Sequence, residues 1–195
     1  MCSCGGDRTT RHNALRNLSG SFAAQAVLNP VLEKPALLPP SPDYPNAGGR
    51  RPADIFLPTW FGGRPAALDF AITCPCRHDL LHTTAQTAGA AAALYASRKR
   101  AFLNTEADCE RQGMNFVPMI AETSGGWHTD ALKTLLGIAR AHSARTGQRT
   151  AQVLEVFLQR TSVCIRRANA IATLRRERPI AVNIAPALPA ADMEL

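Results

Sequence analysis

Residues 53–57 and 67–73 are short apolar runs, and the stretch between them, 58–65, opens and closes on proline and holds Gly62-Gly63. Apolar runs bounded in this way read as two strands joined by a longish turn, so the sequence predicts a β-hairpin here. Each run carries one acidic residue in otherwise apolar surroundings, Asp54 in the first and Asp69 in the second. Neighbouring strands of one hairpin can bring two carboxylates to a single divalent cation. Mg2+ prefers oxygen ligands and keeps several waters, so two carboxylates and a phosphate oxygen make a sufficient site for phosphodiester hydrolysis. Spacing alone leaves a second reading open, in which Asp54 accepts loop amides near a turn and Asp69 pairs with an arginine such as Arg64.

The remaining elements are set by periodicity around this hairpin. Residues 12–27 place Leu15, Leu18, Phe22 and Ala26 at helical spacing, with Pro30 as the stop. Residues 31–38, interrupted by Glu33, Lys34 and Pro35, make at best an edge strand, and the Pro- and Gly-rich stretch 39–51 is loop. Residues 80–103 are almost free of Pro and Gly and finish with Arg98-Lys99-Arg100, which predicts one long helix. A strand over 115–121 is broken midway by Pro118, and residues 129–143 and 150–174 read as two closing helices. With 195 residues, 46% of them hydrophobic, the chain suits one α/β layered domain.

Composition narrows the function classes. No apolar run approaches the roughly 18 residues of a membrane span, and the start carries Arg8, Arg11, His12 and Arg16 without the apolar stretch of a secretory signal. The expectation is therefore an intracellular protein of nucleus or cytoplasm with no membrane partner, whose six cysteines are reduced thiols. The net charge of +7 suits a polyanion such as DNA, although a GC-rich coding bias toward Arg, Ala, Gly and Pro would give the same excess. Arg8, Arg11, His12 and Arg16 fall on or before the first helix, and Arg160, Arg166, Arg167, Arg175 and Arg176 crowd the last one. Both groups can hold backbone phosphates or simply face solvent. Aromatic residues, 6% of the chain, are not interleaved with these basic positions, which favours duplex backbone contact over a stacking platform. No Gly-x-x-x-x-Gly-Lys or Gly-x-Gly-x-x-Gly string is present, which argues against nucleotide binding of those kinds.

Two cysteine groups invite metal readings. Cys74-Pro75-Cys76-Arg77-His78, with His82 nearby, has the wrong spacing for a zinc knuckle and reads as a strand-ending loop. Cys109, Cys164, His128 and His142 are too scattered for a Cys–His nucleophilic pair, and Cys164 inside Val163-Cys164-Ile165 reads as a small core residue.

Taken in order, Cys2-Ser3-Cys4-Gly5-Gly6-Asp7, Arg11-His12-Asn13, Arg51-Pro52-Ala53-Asp54 and Gly63-Arg64-Pro65-Ala66-Ala67-Leu68-Asp69 resemble the restriction-like endonuclease domain at the C-terminal end of non-LTR retrotransposon polyproteins. The likeness continues through Arg98-Lys99-Arg100, Phe116-Val117-Pro118-Met119, Glu122-Thr123-Ser124-Gly125-Gly126-Trp127 and Arg167-Ala168-Asn169-Ala170. It spans most of the chain from Cys2 to about Arg176, and it is the succession of strings that is specific. The resemblance implies a restriction-endonuclease-like core at 12–148, a small mixed sheet flanked by helices. It also implies a remnant of a zinc-knuckle end at 1–11, an appended C-terminal helix at 149–176 and a flexible tail at 177–195. Cys2 matches the last ligand of that family's Cys-Cys-His-Cys knuckle, and Cys2 with Cys4 alone cannot make the four-ligand site of structural zinc, so no zinc is expected.

The resemblance further implies Mg2+-dependent nicking of DNA, with a reverse transcriptase domain as partner in the ancestral polyprotein. Asp54 and Asp69 would hold the metal. The family's lysine, two positions after the second acidic residue, is replaced here by Ala71. Lys99, on the following helix, is the candidate for a migrated lysine, the other reading being a basic helix end that suits the helix dipole. Glu33 and Glu122 are accessory acidic candidates from flanking strands, although Glu122 also suits the start of a turn. Arg11, His12, Arg98 and Arg100 are the candidate nucleic-acid contacts. The alternative is a noncatalytic retroelement remnant that binds nucleic acid weakly or serves only as an interaction module.

Overall fold

The computed structural model describes residues 6–40 and 49–175. The expected zinc-knuckle remnant up to residue 5, most of the 39–51 loop and the tail from residue 176 lie outside the described residues. Helix α1 (Asp7–Gln25) leads into strand β1 (Val31–Leu32), then β2 (Ile55–Leu57) and β3 (Ala66–Thr73). Helices α2 (Leu81–Gln86), α3 (Ala90–Ala101) and α4 (Thr105–Arg111) precede β4 (Asn115–Glu122), and α5 (Thr129–Thr146) and α6 (Thr150–Leu174) close the chain. The four strands form one mixed sheet in the order β1-β2-β3-β4. Strand β2 is antiparallel to both β1 and β3, and β4 is parallel to β3.

Strand alternation divides the core between two faces. Ala66, Leu68 and Phe70 of β3, with Ile55 and Leu57 of β2 and Met119 and Ala121 of β4, meet α1, α5 and α6 in the main cluster. The other face presents Phe56, Ala67 and Phe116 to Cys109 of α4, and Ala71 and Ile120 to Ala92 and Ala96 of α3. Because alanines meet alanine, α3 lies close against the sheet. Helix α6 is part of the main core, to which it gives Val153, Phe157 and Ile165, and Phe157 stacks on Phe22 of α1 with ring centroids 4.1 Å apart.

The hairpin forms over 55–57 and 66–73, as its apolar runs and glycines require. The single long helix over 80–103 is corrected: it is broken into α2 and α3 at Gly89, whose φ of +78° is a left-handed conformation that glycine adopts without strain. Helix α4 was not expected at all. Pro118 does not break β4, because an edge strand has one side without a ladder partner and a proline turned to that side removes no bond. Among the described residues no helix is long and apolar enough to cross a membrane.

Candidate functional site

The same alternation that sorts the core puts both aspartates on the α3 face. Asp69 lies between Ala67 and Ala71, and Asp54 lies two residues before Phe56. The Asp54 amide donates to the Leu68 carbonyl at 2.9 Å, so the ladder extends past β2 and sets Asp54 beside Asp69. Asp54 is then fixed from two sides. Its Oδ2 accepts the Phe70 amide at 2.7 Å, and its Oδ1 lies 3.1 Å from Nε2 of His12 on α1.

Helix α3 supplies the cation. The Lys99 ammonium donates to Asp69 Oδ1 at 3.0 Å and lies 2.8 Å from Oδ2. Lys99 enters where Ala71 leaves room, and both line one cavity of about 250 Å³ with Arg8, Arg11, His12, Asp54, Asp69 and Tyr95. Tyr95 belongs to no motif. Its only sequence signal is its place four residues before Lys99, which puts both side chains on one helix face.

The electrostatics follow from burial and partners. Burial pushes the Asp69 carboxyl up to about 6, helped by the neighbouring Asp54, against the charge and hydrogen bond of Lys99. Burial also acts to raise Asp54, but the hydrogen bond and charge of His12, the Phe70 amide and Lys99 outweigh it and hold Asp54 below its ordinary 3.8. For Lys99, the charge and hydrogen bond of Asp69 overcome the burial that would lower it, and its titration moves up. The cavity thus holds one firmly ionised carboxylate, one that gains and loses its proton near pH 6, and a fixed ammonium.

Other sequence candidates stand apart. Glu122 pairs in register with Thr73, four residues or about 13 Å along the ladder from Asp69. Its Oε1 accepts the Ala92 amide at 3.2 Å, so it satisfies an open N–H in the first turn of α3. Glu33 receives Arg16 and Arg51 at the β1 edge. Arg100 is spent on Glu106 and Asp130, and Arg98 is exposed and lines no part of this cavity. Arg11 does line it, held by Asn169 of α6, which in turn donates to the Thr123 carbonyl at 3.1 Å. Arg64 donates to the Gly113 carbonyl, and the partner of Asp69 is Lys99. Cys164 is half-buried beside Ala14 and Leu18 of α1, not a core residue as the sequence had it, and Cys109 takes the fully buried place.

Among the described residues no group of three or more His, Cys, Asp or Glu side chains is arranged to hold a metal ion. Two adjacent carboxylates are nevertheless a hard-oxygen donor set that fits Mg2+, which completes its shell with water and phosphate oxygens. Cys2 and Cys4 lie outside the described residues. The chain matches no protein-family model and no curated protein.

Proposed function

We propose that this cavity is a Mg2+-dependent phosphodiester-hydrolysing site and that the chain is a retroelement-derived, restriction-endonuclease-like domain that nicks DNA. The observation that carries the reading is the meeting of Lys99 of α3 with Asp69 of β3 beside Asp54, which immediately precedes β2, in one open cavity. A surface ion pair needs no second carboxylate facing it. Here burial raises the Asp69 carboxyl to about 6, with Asp54 adding to it against the charge of Lys99, and a bound cation would favour its ionised form.

Asp54 and Asp69 are the residues that would hold Mg2+, which when bound supplies Lewis-acid polarisation of the phosphate and of water. His12 and the Phe70 amide fix the Asp54 carboxylate, so little reorganisation is needed at this ligand. The Lys99 ammonium orients the attacking water and offsets the negative charge that builds on the phosphate. Arg8 lines the same cavity and is exposed, so it can meet a flanking phosphate of a DNA strand, while Arg11 is buried and held by Asn169.

Relaxation of supercoiled plasmid in Mg2+ tests the reading. Wild type converts it to open circles, and Asp54→Ala and Asp69→Ala do not. Equal nicking by all three, or by none, contradicts it. The noncatalytic alternative draws on one observation, that His12 and Lys99 already answer both carboxylates within the protein. It predicts salt-sensitive DNA binding without nicking.

A further inference from the structure

Tyr95 is the one large side chain of the cavity without an assignment. It is half-buried, packs against the cluster of Ala71, Ala92, Ala96 and Ile120, and lines the cavity shared by Asp54, Asp69 and Lys99. Its hydroxyl makes no hydrogen bond among the described residues, and its phenol lies within electrostatic reach of the Lys99 ammonium. One helical turn separates the two side chains, a rise of about 6 Å, comparable to the reach from a phosphate to its own base. A phosphate paired with the Lys99 ammonium therefore sets its nucleoside over the Tyr95 ring. A base inside a duplex is stacked and paired and reaches such a ring only after extrusion, whereas an unpaired base reaches it at no such cost. The cavity, about 250 Å³, is small beside a base pair with its two backbones.

We propose that Tyr95 is a substrate-contacting, specificity-determining residue that stacks on an unpaired nucleotide beside the scissile phosphate, so that the site selects bulged or frayed strands over intact duplex. The inference rests on the hydrolytic reading above and names the substrate class for it. Stacking on an aromatic face is sequence-tolerant and worth about 10-fold in affinity per base, so the preference is for structure and not for a base type.

The test is fluorescence anisotropy of a labelled DNA hairpin, fully paired or carrying a single-nucleotide bulge, without divalent ions. Wild type is expected to bind the bulged hairpin about 10-fold more tightly. Tyr95→Phe keeps that preference, and Tyr95→Leu, which still packs on the alanines, loses it while binding the paired hairpin as before. Equal affinity of wild type for both hairpins, or a preference that survives in Tyr95→Leu, overturns the proposal. A 5-iodouridine at the bulge, photo-crosslinked to wild-type protein and mapped by mass spectrometry, gives the same answer without any variant: a crosslink at Tyr95 supports it and one elsewhere opposes it. A Tyr95-dependent preference in a protein that does not nick sustains the contact and sinks hydrolysis. Nicking that ignores the bulge and Tyr95→Leu alike does the reverse.

Discussion

Replacing Lys99 with methionine keeps the stem of the side chain and removes its charge, leaving Asp69 and Asp54 to face each other. At 2.8 Å the gross attraction between Lys99 and Asp69 is about 6 kcal/mol at an effective dielectric constant near 20. Both side chains are mostly withdrawn from water, 29% and 17% exposed, so desolvation returns much of that and a net loss of about 2–3 kcal/mol remains. The pH dependence is the sharper part. Asp69 titrates at about 6 in the folded protein against an ordinary 3.8. A folded-state value raised in this way contributes stability that is complete below 3.8 and is lost as pH rises through about 6. Without Lys99 the carboxyl moves up further, by about one to two pH units, and each unit is worth about 1.4 kcal/mol. At pH 5 Asp69 is mostly protonated with or without Lys99, so Lys99→Met costs little there. By pH 8 its cost exceeds the pH 5 value by about 1.3–2.3 kcal/mol. Urea unfolding at the two pH values measures this, and a loss that is equal at both, or smaller at pH 8, refutes the coupling drawn between the two groups.

Three further outcomes follow from particular contacts. Glu122→Ala is expected to destabilise by about 1–2 kcal/mol in urea by freeing the Ala92 amide, while Glu122→Gln, which keeps an acceptor oxygen, restores most of that and nicks plasmid at the wild-type rate. Phe157→Ala removes a fully buried ring from its stack on Phe22 and should cost about 3–5 kcal/mol by the same measurement. Adding Ala71→Lys to Lys99→Met returns an ammonium to the cavity from β3 and should recover part of the nicking lost in Lys99→Met alone, read as initial rates on plasmid.

The aspartate pair was legible because a hairpin with one acidic residue in each arm has few ways to avoid bringing them together. Lys99 was legible only as a charge at a helix end, and the reach of that end to Asp69 depends on the alanine contacts that hold α3 close to Ala71. His12 and Glu122 show where local pattern stops informing. His12 meets Asp54 across 42 residues of sequence and Glu122 meets Ala92 across 30, and neither spacing belongs to a periodicity that a sequence displays. The break at Gly89 escaped notice because one glycine in an alanine-rich run is compatible with a continuous helix. Helix α2 ends where Thr87 turns extended, and the left-handed Gly89 two residues on restarts the chain as α3. Arg100 looked like its neighbours in Arg98-Lys99-Arg100, but a step of 100° around the helix sends it to Glu106 and Asp130.

The central claim is that Asp54 and Asp69 act as one unit on a phosphodiester. Single-turnover nicking rates in Mg2+ for wild type, Asp54→Asn, Asp69→Asn and the double variant test it most directly, because groups that serve one step are strongly non-additive. Each single change is expected to remove nearly all activity, with the double variant no slower than either. Losses that multiply, or variants that nick like wild type, contradict it.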